Sequence, residues 1–182
     1  VAGTVGLMMS KIMKVKNKEA LKGAIDLGIA MQLTNICRDV HEDALNGRVY
    51  LPAEFLKSMT AKQLVTPDSS DIESIKQVVS YLLTEAEARY ESGISGLCFL
   101  PARARLAIYI AALTYREIGM IIANRGFDVW KGRAHTTKTQ KWLIALRGVI
   151  TFLFTKKAHQ YQGFHNPELH RGLNNRPGVH WA

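Results

Sequence analysis

The chain has 182 residues, 47% of them hydrophobic and 21% charged, with a formal net charge of +9. This composition suits one globular domain with enough apolar surface for a core, and it excludes a disordered or fibrous chain. The positive excess favours an anionic partner, whether a diphosphate ester, an anionic membrane surface or nucleic acid, and does not choose among them.

Apolar residues recur at three- and four-residue intervals along most of the length and strand signals are weak, so the expected fold class is all-α. Val1 to about Val15 reads as the end of a helix in which Gly3 and Gly6 permit close backbone approach. It starts inside an apolar pattern with neither Met nor cap, and a truncated chain is expected. Asn17 caps the next helix, which runs to about Leu45 and stops at Asn46-Gly47. A short helix follows Pro52, and Thr66 to Ser70 is expected to be a loop. From Asp71 to about Ser92, Ile72, Ile75, Val79, Leu82, Leu83, Ala86 and Tyr90 keep helical spacing. A further helix is expected from Pro101 to Arg125, ended by Gly126. Thr137 to Lys157 reads as a last core helix, with contact to a membrane surface as its alternative. The polar tail 159–182 is expected to be loosely ordered, leaving 1–158 as one partial helical domain.

No signal peptide opens the chain, and no uninterrupted run of ~18 apolar residues suggests a spanning helix. Trp142 to Phe154 comes nearest, but Arg147 breaks it. Cys37 and Cys98 lie far apart in apolar helical patterns and read as reduced thiols of an intracellular protein. The tail histidines His159, His165, His170 and His180 fit no zinc spacing.

The informative stretch is Gln32-Leu33-Thr34-Asn35-Ile36-Cys37-Arg38-Asp39-Val40-His41-Glu42-Asp43, followed by Asn46-Gly47-Arg48-Val49-Tyr50-Leu51-Pro52. On a helix, Gln32, Asn35, Asp39 and Asp43 share one face, with Arg38 and Glu42 at its margins and His41 turned away. The alternative is a solvated helix face. Against it, like charges four apart weaken a helix, and the turns before them, with Ile25, Leu27, Ile29, Ala30, Met31 and Leu33, read as buried. Carboxylates on a buried helix need a compensating cation, and oxygen-only donors favour magnesium, which also binds substrate phosphates. Arg48, just past the helix, could reach a phosphate touched by the same ion.

These residues resemble the second aspartate-rich motif of the phytoene/squalene synthase family. Val1-Ala2-Gly3-Thr4-Val5-Gly6 is similar to the family's prenyl-cavity segment. Tyr115-Arg116-Glu117-Ile118-Gly119, Gly126-Phe127-Asp128-Val129 and Arg133 are similar to its penultimate helix and following basic loop, and Arg176-Pro177-Gly178-Val179-His180-Trp181 more weakly to a bacterial tail. The resemblance implies the C-terminal half of an isoprenoid (terpenoid) synthase-like helical bundle. It implies that Asn35, Asp39 and Asp43 are catalytic residues that bind magnesium (or manganese) or diphosphate. Gln32, Arg38 and Arg48 would contact substrate, Val1, Ala2 and Gly6 would line the isoprenoid cavity, and Tyr115 and Arg133 would lie near the diphosphate.

The implied reaction is a head-to-head condensation of two prenyl diphosphates in an apolar cavity. Gly47 to Pro52 and Gly126-Phe127-Asp128-Val129-Trp130 are nearest to the family's bacterial phytoene-forming members, which use geranylgeranyl diphosphate without NADPH. Squalene-, dehydrosqualene- and hydroxysqualene-forming members are the alternatives. The implied location is the cytoplasm, at the periphery of the inner membrane face. One departure is that the family's first aspartate-rich motif has no counterpart here, because Asp68 and Asp71 flank two serines in an expected loop. The chain alone is therefore expected to be inactive. A non-catalytic relative acting as an assembly factor has no need of buried carboxylates. A nucleic-acid partner is not expected, since Tyr90, Tyr109 and Tyr115 sit within apolar helices rather than among exposed lysines.

Overall fold

Asn17 begins the helix around which the others are arranged. Its side-chain oxygen accepts from the backbone N–H groups of Glu19 (2.8 Å) and Ala20 (3.3 Å), satisfying two donors that a helix start leaves unpaired. The helix α2 (Lys18–Leu45) then runs for 28 residues. It ends in a two-bond closure, Gly47 N–H to the Ala44 carbonyl (2.9 Å) and Arg48 N–H to the Asp43 carbonyl (2.9 Å). Gly47 makes this possible at φ +71°, where a side chain would be strained. The computed structural model describes residues 2–56, 59–154, 159–161, 166 and 168–170, and the described residues contain helices and turns but no strand.

Among the described residues, six further helices accompany α2: α1 (Ala2–Ile12), α4 (Ala61–Val65), α5 (Ser69–Ser95) and α6 (Ala102–Asn124) pack on it, while α3 (Ala53–Leu56) packs on α5 and α7 (Lys138–Phe154) on α6, with a 3-10 turn at Gly96–Phe99. The all-α expectation holds. Around the C-terminal half of α2, Cys37, Val40, Leu51, Leu64, Ile75, Val79 and Ile118 form one core cluster. Around its N-terminal half, Leu27, Ala30, Ala86, Tyr90, Tyr109 and Phe152 form a second, and Leu33 and Tyr115 pack against both. Between them Thr34 and Tyr90 share a buried hydrogen bond of 3.0 Å.

Small residues set how close the helices come. A Cβ on Gly6 of α1 would run into the Ala24 carbonyl of α2, and one on Gly28 into that of Ala2. On the other side of α2, a Cβ on Gly93 of α5 would lie 2.7 Å from the Leu27 Cβ and 3.0 Å from its backbone.

Several expectations are corrected. Helix α5 starts at Ser69, inside the expected loop, and Asp68 takes the N-cap position. Helix α4 was not anticipated, although Thr60 and Gln63 form a capping box around its first turn. Helix α6 is long and apolar enough to cross a membrane by length and composition, where no spanning segment was expected. It packs against α2, α5 and α7 with 22% of that apolar stretch buried. Helix α7 buries only Gly148 and Phe152, so the expected last core helix packs on one narrow face.

The described tail residues hold fixed contacts. The Tyr161 hydroxyl donates to Glu19 (2.9 Å), and His170 pairs with Asp26 (2.8 Å). Asp26 is wholly buried and also accepts from Ser92 (2.6 Å). Both cysteines are free. Burial pushes the Cys37 thiol up to about 12, so it behaves as a packing group.

Gly93→Ala should destabilise the fold by about 1–3 kcal/mol, because the clash is with backbone. Gly119→Ala, whose new methyl meets only the flexible end of Leu83 at 3.3 Å, should change stability by less than about 1 kcal/mol. Thermal unfolding followed by helical circular dichroism checks both, and equal midpoints for the two variants would contradict the close approach of α2 and α5.

Candidate functional site

The polar stripe forms as the helical spacing requires, and the structure gives it two surroundings. Toward the N-terminal side, Gln32 and Asn35 join Ala2, Gly6 and Tyr115 in lining a cavity of about 470 Å³. Its walls are otherwise apolar, with Met9, Met31, Leu97, Leu100 and Ile108 among them. Val1 lies outside the described residues. The methionines come from α1 and α2 and suit a cavity that must adapt its shape; the sequence reading took Met31 only as a buried residue and passed over Met9.

One turn further along α2, Asp39 is gripped by two guanidinium groups. Arg38 donates to both carboxylate oxygens (2.8 and 2.5 Å), and Arg133 approaches the same two (2.9 and 3.4 Å). Arg133 also lies 3.4 Å from Glu42. It reaches α2 because the α6–α7 connection is pinned to the core. Val129 and Ala134 are buried, and the Trp130 indole N–H donates to the Leu64 carbonyl (2.9 Å). Arg48 is returned toward Asp43 by the turn at Gly47, and both line a small hollow with Ile36 and Val40. Asp68 and Asp71 sit at the start of α5 as cap and first-turn residues.

The two carboxylates respond in opposite directions. Burial pushes Asp39 upward, but the bonds from Arg38 and Arg133 outweigh it and hold the carboxyl below the usual range. Asp43 is raised, first by burial and then by the charge of Asp39, with Glu42 adding and Arg48 and Arg133 opposing. Arg38 is held more firmly charged by its bond to Asp39, against the cost of its own burial, with Tyr115 and Glu42 adding smaller contributions. The Asn35 Oδ1 is buried and has no hydrogen-bond partner. A buried acceptor left alone is costly, so a donor or cation at this point would relieve it.

Among the described residues, no group of three or more His, Cys, Asp or Glu is placed to hold a metal ion by itself. Any ion here must complete its shell with Asn35, water or a ligand's oxygens. The described tail histidines are engaged elsewhere, His159 with the Phe152 carbonyl and Arg105, His170 with Asp26. Asp26 is the buried carboxylate that sequence reasoning missed. Its signal was an acid flanked by Ile25 and Leu27 on a helix whose neighbouring cation, Lys22, pairs with Glu19 instead.

An all-α bundle whose apolar cavity ends on an acidic, arginine-flanked helix has the architecture of an isoprenoid synthase-like fold. The solved dehydrosqualene synthase in complex with ligand is similar, with a TM-score of 0.72 and 26% identity, covering 85% of this chain and 55% of that one. A family profile described as squalene/phytoene synthase matches residues 1–140. The 15-cis-phytoene synthase of Enterobacter agglomerans is 43% identical over 143 residues, covering 78% of this chain and 48% of the relative. That of Pantoea ananas is 40% identical over 148 residues, 80% and 47% respectively. The chain belongs to the squalene/phytoene synthase family. It spans about half the length of the curated relatives it matches.

A depressed carboxylate stabilises the fold above its unfolded pKa of ~3.9, and that contribution is lost as pH falls through the lower folded value. Arg133→Gln should therefore move the titration of Asp39 up toward ~3.9 and make acid unfolding begin at higher pH. Carboxyl-carbon NMR of Asp39 in both proteins measures this, and an unmoved titration would show that the Arg133 pair is not formed in solution.

Proposed function

We propose that the protein to which this chain contributes condenses two molecules of geranylgeranyl diphosphate head-to-head to phytoene, through a cyclopropyl diphosphate intermediate, in carotenoid biosynthesis. The observation that carries this reading is the position of Asn35. Asn35 lines the apolar cavity one helical turn from the Asp39–Asp43 pair, and its side-chain oxygen is buried without a partner. A greasy chain and a charged head thus have adjoining places on one helix. The identity to phytoene synthases supports the substrate class.

The residues present fit magnesium, or manganese. The donors are all oxygen, one is orphaned, and the carboxylates are too few for a full cage, which suits an ion that keeps waters and takes substrate phosphate oxygens. Asn35, Asp39 and Asp43 would hold it. When bound, the ion would act as a Lewis acid on the departing diphosphate.

The protein's own groups do the remainder. Arg38, Arg48 and Arg133 offer charge-assisted bonds to diphosphate oxygens. Because Arg38 and Arg133 are paired with Asp39 beforehand, an arriving diphosphate would compete for them and release carboxylate oxygens toward a cation. Tyr115 and Gln32 are available to orient the head at the cavity's polar end. The methionine and leucine walls keep water from the allylic and cyclopropyl cations, so they rearrange and lose a proton instead of being quenched. No NADPH is required for that outcome. The first aspartate-rich motif of the family has no counterpart in this chain, so we assign activity to the longer protein and none to this chain alone. The proposed setting is cytoplasmic.

The test is incubation of the full-length protein with geranylgeranyl diphosphate and magnesium, without NADPH, with the hydrocarbon identified by ultraviolet absorption and mass. Phytoene should form, and Asp39→Ala and Asp43→Ala should each lower kcat by at least about 100-fold, a loss of about 2.7 kcal/mol or more in transition-state stabilisation. A C30 hydrocarbon from farnesyl diphosphate instead would reassign the product to the squalene or dehydrosqualene type. No product from either, with the protein folded, would put the non-catalytic relative first.

A further inference from the structure

The seam between α2 and the end of α5 is built largely of glycine. Gly93 of α5 lies against Leu27 of α2, where an added Cβ would come within 2.7 Å of the Leu27 Cβ. Gly23 of α2 lies against Gly96 of the 3-10 turn, with 3.1 Å between an added Cβ and the Gly96 Cα. Contacts of this kind bring helices close but offer few side-chain atoms to interdigitate, so the seam itself does little to resist parting. The same four residues line the apolar cavity. The spacing of α2 and α5 along this seam is therefore also a dimension of the cavity.

A polar tie lies one residue along from this seam on both helices. Asp26, the residue before Leu27, is wholly buried and accepts from Ser92, the residue before Gly93, at 2.6 Å. Its other carboxylate oxygen pairs with Nε2 of His170 at 2.8 Å, and His170 is itself buried. The Leu169 carbonyl, next to it in the chain, accepts from Arg89 of α5 at 3.2 Å, and Arg89 is steadied by Glu85 at 2.6 Å. Two successive tail residues thus grip α5 and α2, one each. Earlier in the tail, Tyr161 donates to Glu19 of the first turn of α2, and its ring lies 5.4 Å from that of Phe99 in the 3-10 turn. A buried carboxylate that loses a partner is costly, which makes the pairing with His170 a strong constraint rather than an ornament. The tail thereby joins α2 to α5 where the two helices interlock least.

We propose that the described tail residues form a strap that sets the width of the cavity, with His170 as a positioning residue acting through Asp26 on the wall made by Gly23, Leu27, Gly93 and Gly96. With the strap seated, the glycine seam is held shut. With it released, α2 and α5 part along the seam, and the cavity widens and admits water. The chemical consequence rests on the function proposed above, in which this wall encloses prenyl chains and their cations; the mechanical one does not. Water that reaches an allylic cation adds through its oxygen and loses a proton, leaving an isoprenoid alcohol in place of the hydrocarbon.

The experiment uses the full-length protein and two readouts. Backbone hydrogen exchange followed by mass spectrometry needs no substrate. His170→Ala should speed exchange at least about tenfold in peptides covering 20–34 and 86–97 and leave those of α4 unchanged, because the parting is local. His170→Gln, whose side-chain amide can still donate to Asp26, should restore the parent pattern. The second readout is the product mixture from geranylgeranyl diphosphate and magnesium. In His170→Ala the ratio of isoprenoid alcohol to hydrocarbon should rise at least about fivefold, and in His170→Gln it should return toward the parent. Should His170→Ala not fold, Ser92→Ala, which removes only the α5 side of the tie, should speed exchange in the same two regions. Unchanged exchange overturns the strap, as does a rise spread evenly over every helix, which is a general loss of stability. Exchange effects of Asp26→Asn and His170→Ala that add in the double variant, rather than coincide, also overturn it, since Asp26 would then be held by another part of the longer protein. Faster exchange with an unchanged alcohol ratio overturns the link to the cavity. A parent that yields neither hydrocarbon nor alcohol fails the proposed reaction, while hydrogen exchange still decides the strap.

Discussion

Helix α2 must be packed on nearly every side and must still present carboxylates, and the rest of the bundle answers that double demand. Twenty-eight residues long, it touches α1, α4, α5, α6 and the 3-10 turn. An apolar helix could be enclosed without further arrangement. An acidic one needs each buried charge matched, because an ion moved out of water costs several kcal/mol even after the protein relaxes. The structure supplies matching groups from distant parts of the chain. Arg133 arrives from the α6–α7 connection, fixed by Trp130 on Leu64. Arg48 arrives by the glycine turn that ends α2 itself.

Asp26 shows the same constraint solved differently. It lies on the same helix, is less exposed than Asp39, accepts from Ser92 of α5 and pairs with His170 of the tail. Those partners sit on the side of α2 that α5 and the tail cover. The tail residues therefore act as part of the core's polar accounting, which is why His170 is buried although the segment around it is polar.

The sequence revealed what local spacing determines. The stripe of α2, the Asn17 cap, the Gly47 stop and the spans of α5 and α6 to within a few residues all follow from periodicity and turn chemistry. Helix α4 was legible too, in Thr60-Ala61-Lys62-Gln63, and was overlooked because five residues carry no periodic signal. The union of Arg133 with Asp39 joins residues 94 apart, and that of His170 with Asp26 joins residues 144 apart. No local pattern encodes such pairs; the family resemblance placed Arg133 near the diphosphate without pairing it with Asp39, and the second pair was not anticipated at all. The exposure of α7 was also hidden, because an apolar helix reads alike whether its outer face meets protein, lipid or water.

The opposed behaviour of Asp39 and Asp43 bears on whether the acidic stripe is only structural. A network evolved to hold helices together would neutralise both carboxylates, since an unmatched one weakens the fold. Here the matched Asp39 is driven down and Asp43, one turn on, is driven up by burial and by its neighbours' charge. Paired groups pushed apart in this way are more often found where chemistry is done than where helices are merely joined. The orphaned Asn35 oxygen lies on the same face one turn in the other direction. Unmet demand for positive charge or hydrogen-bond donors thus exists on both sides of Asp39, along the line where the cavity's apolar wall gives way to the arginines. A purely structural stripe has no reason to leave that demand unmet, whereas the cation and diphosphate proposed above would meet it.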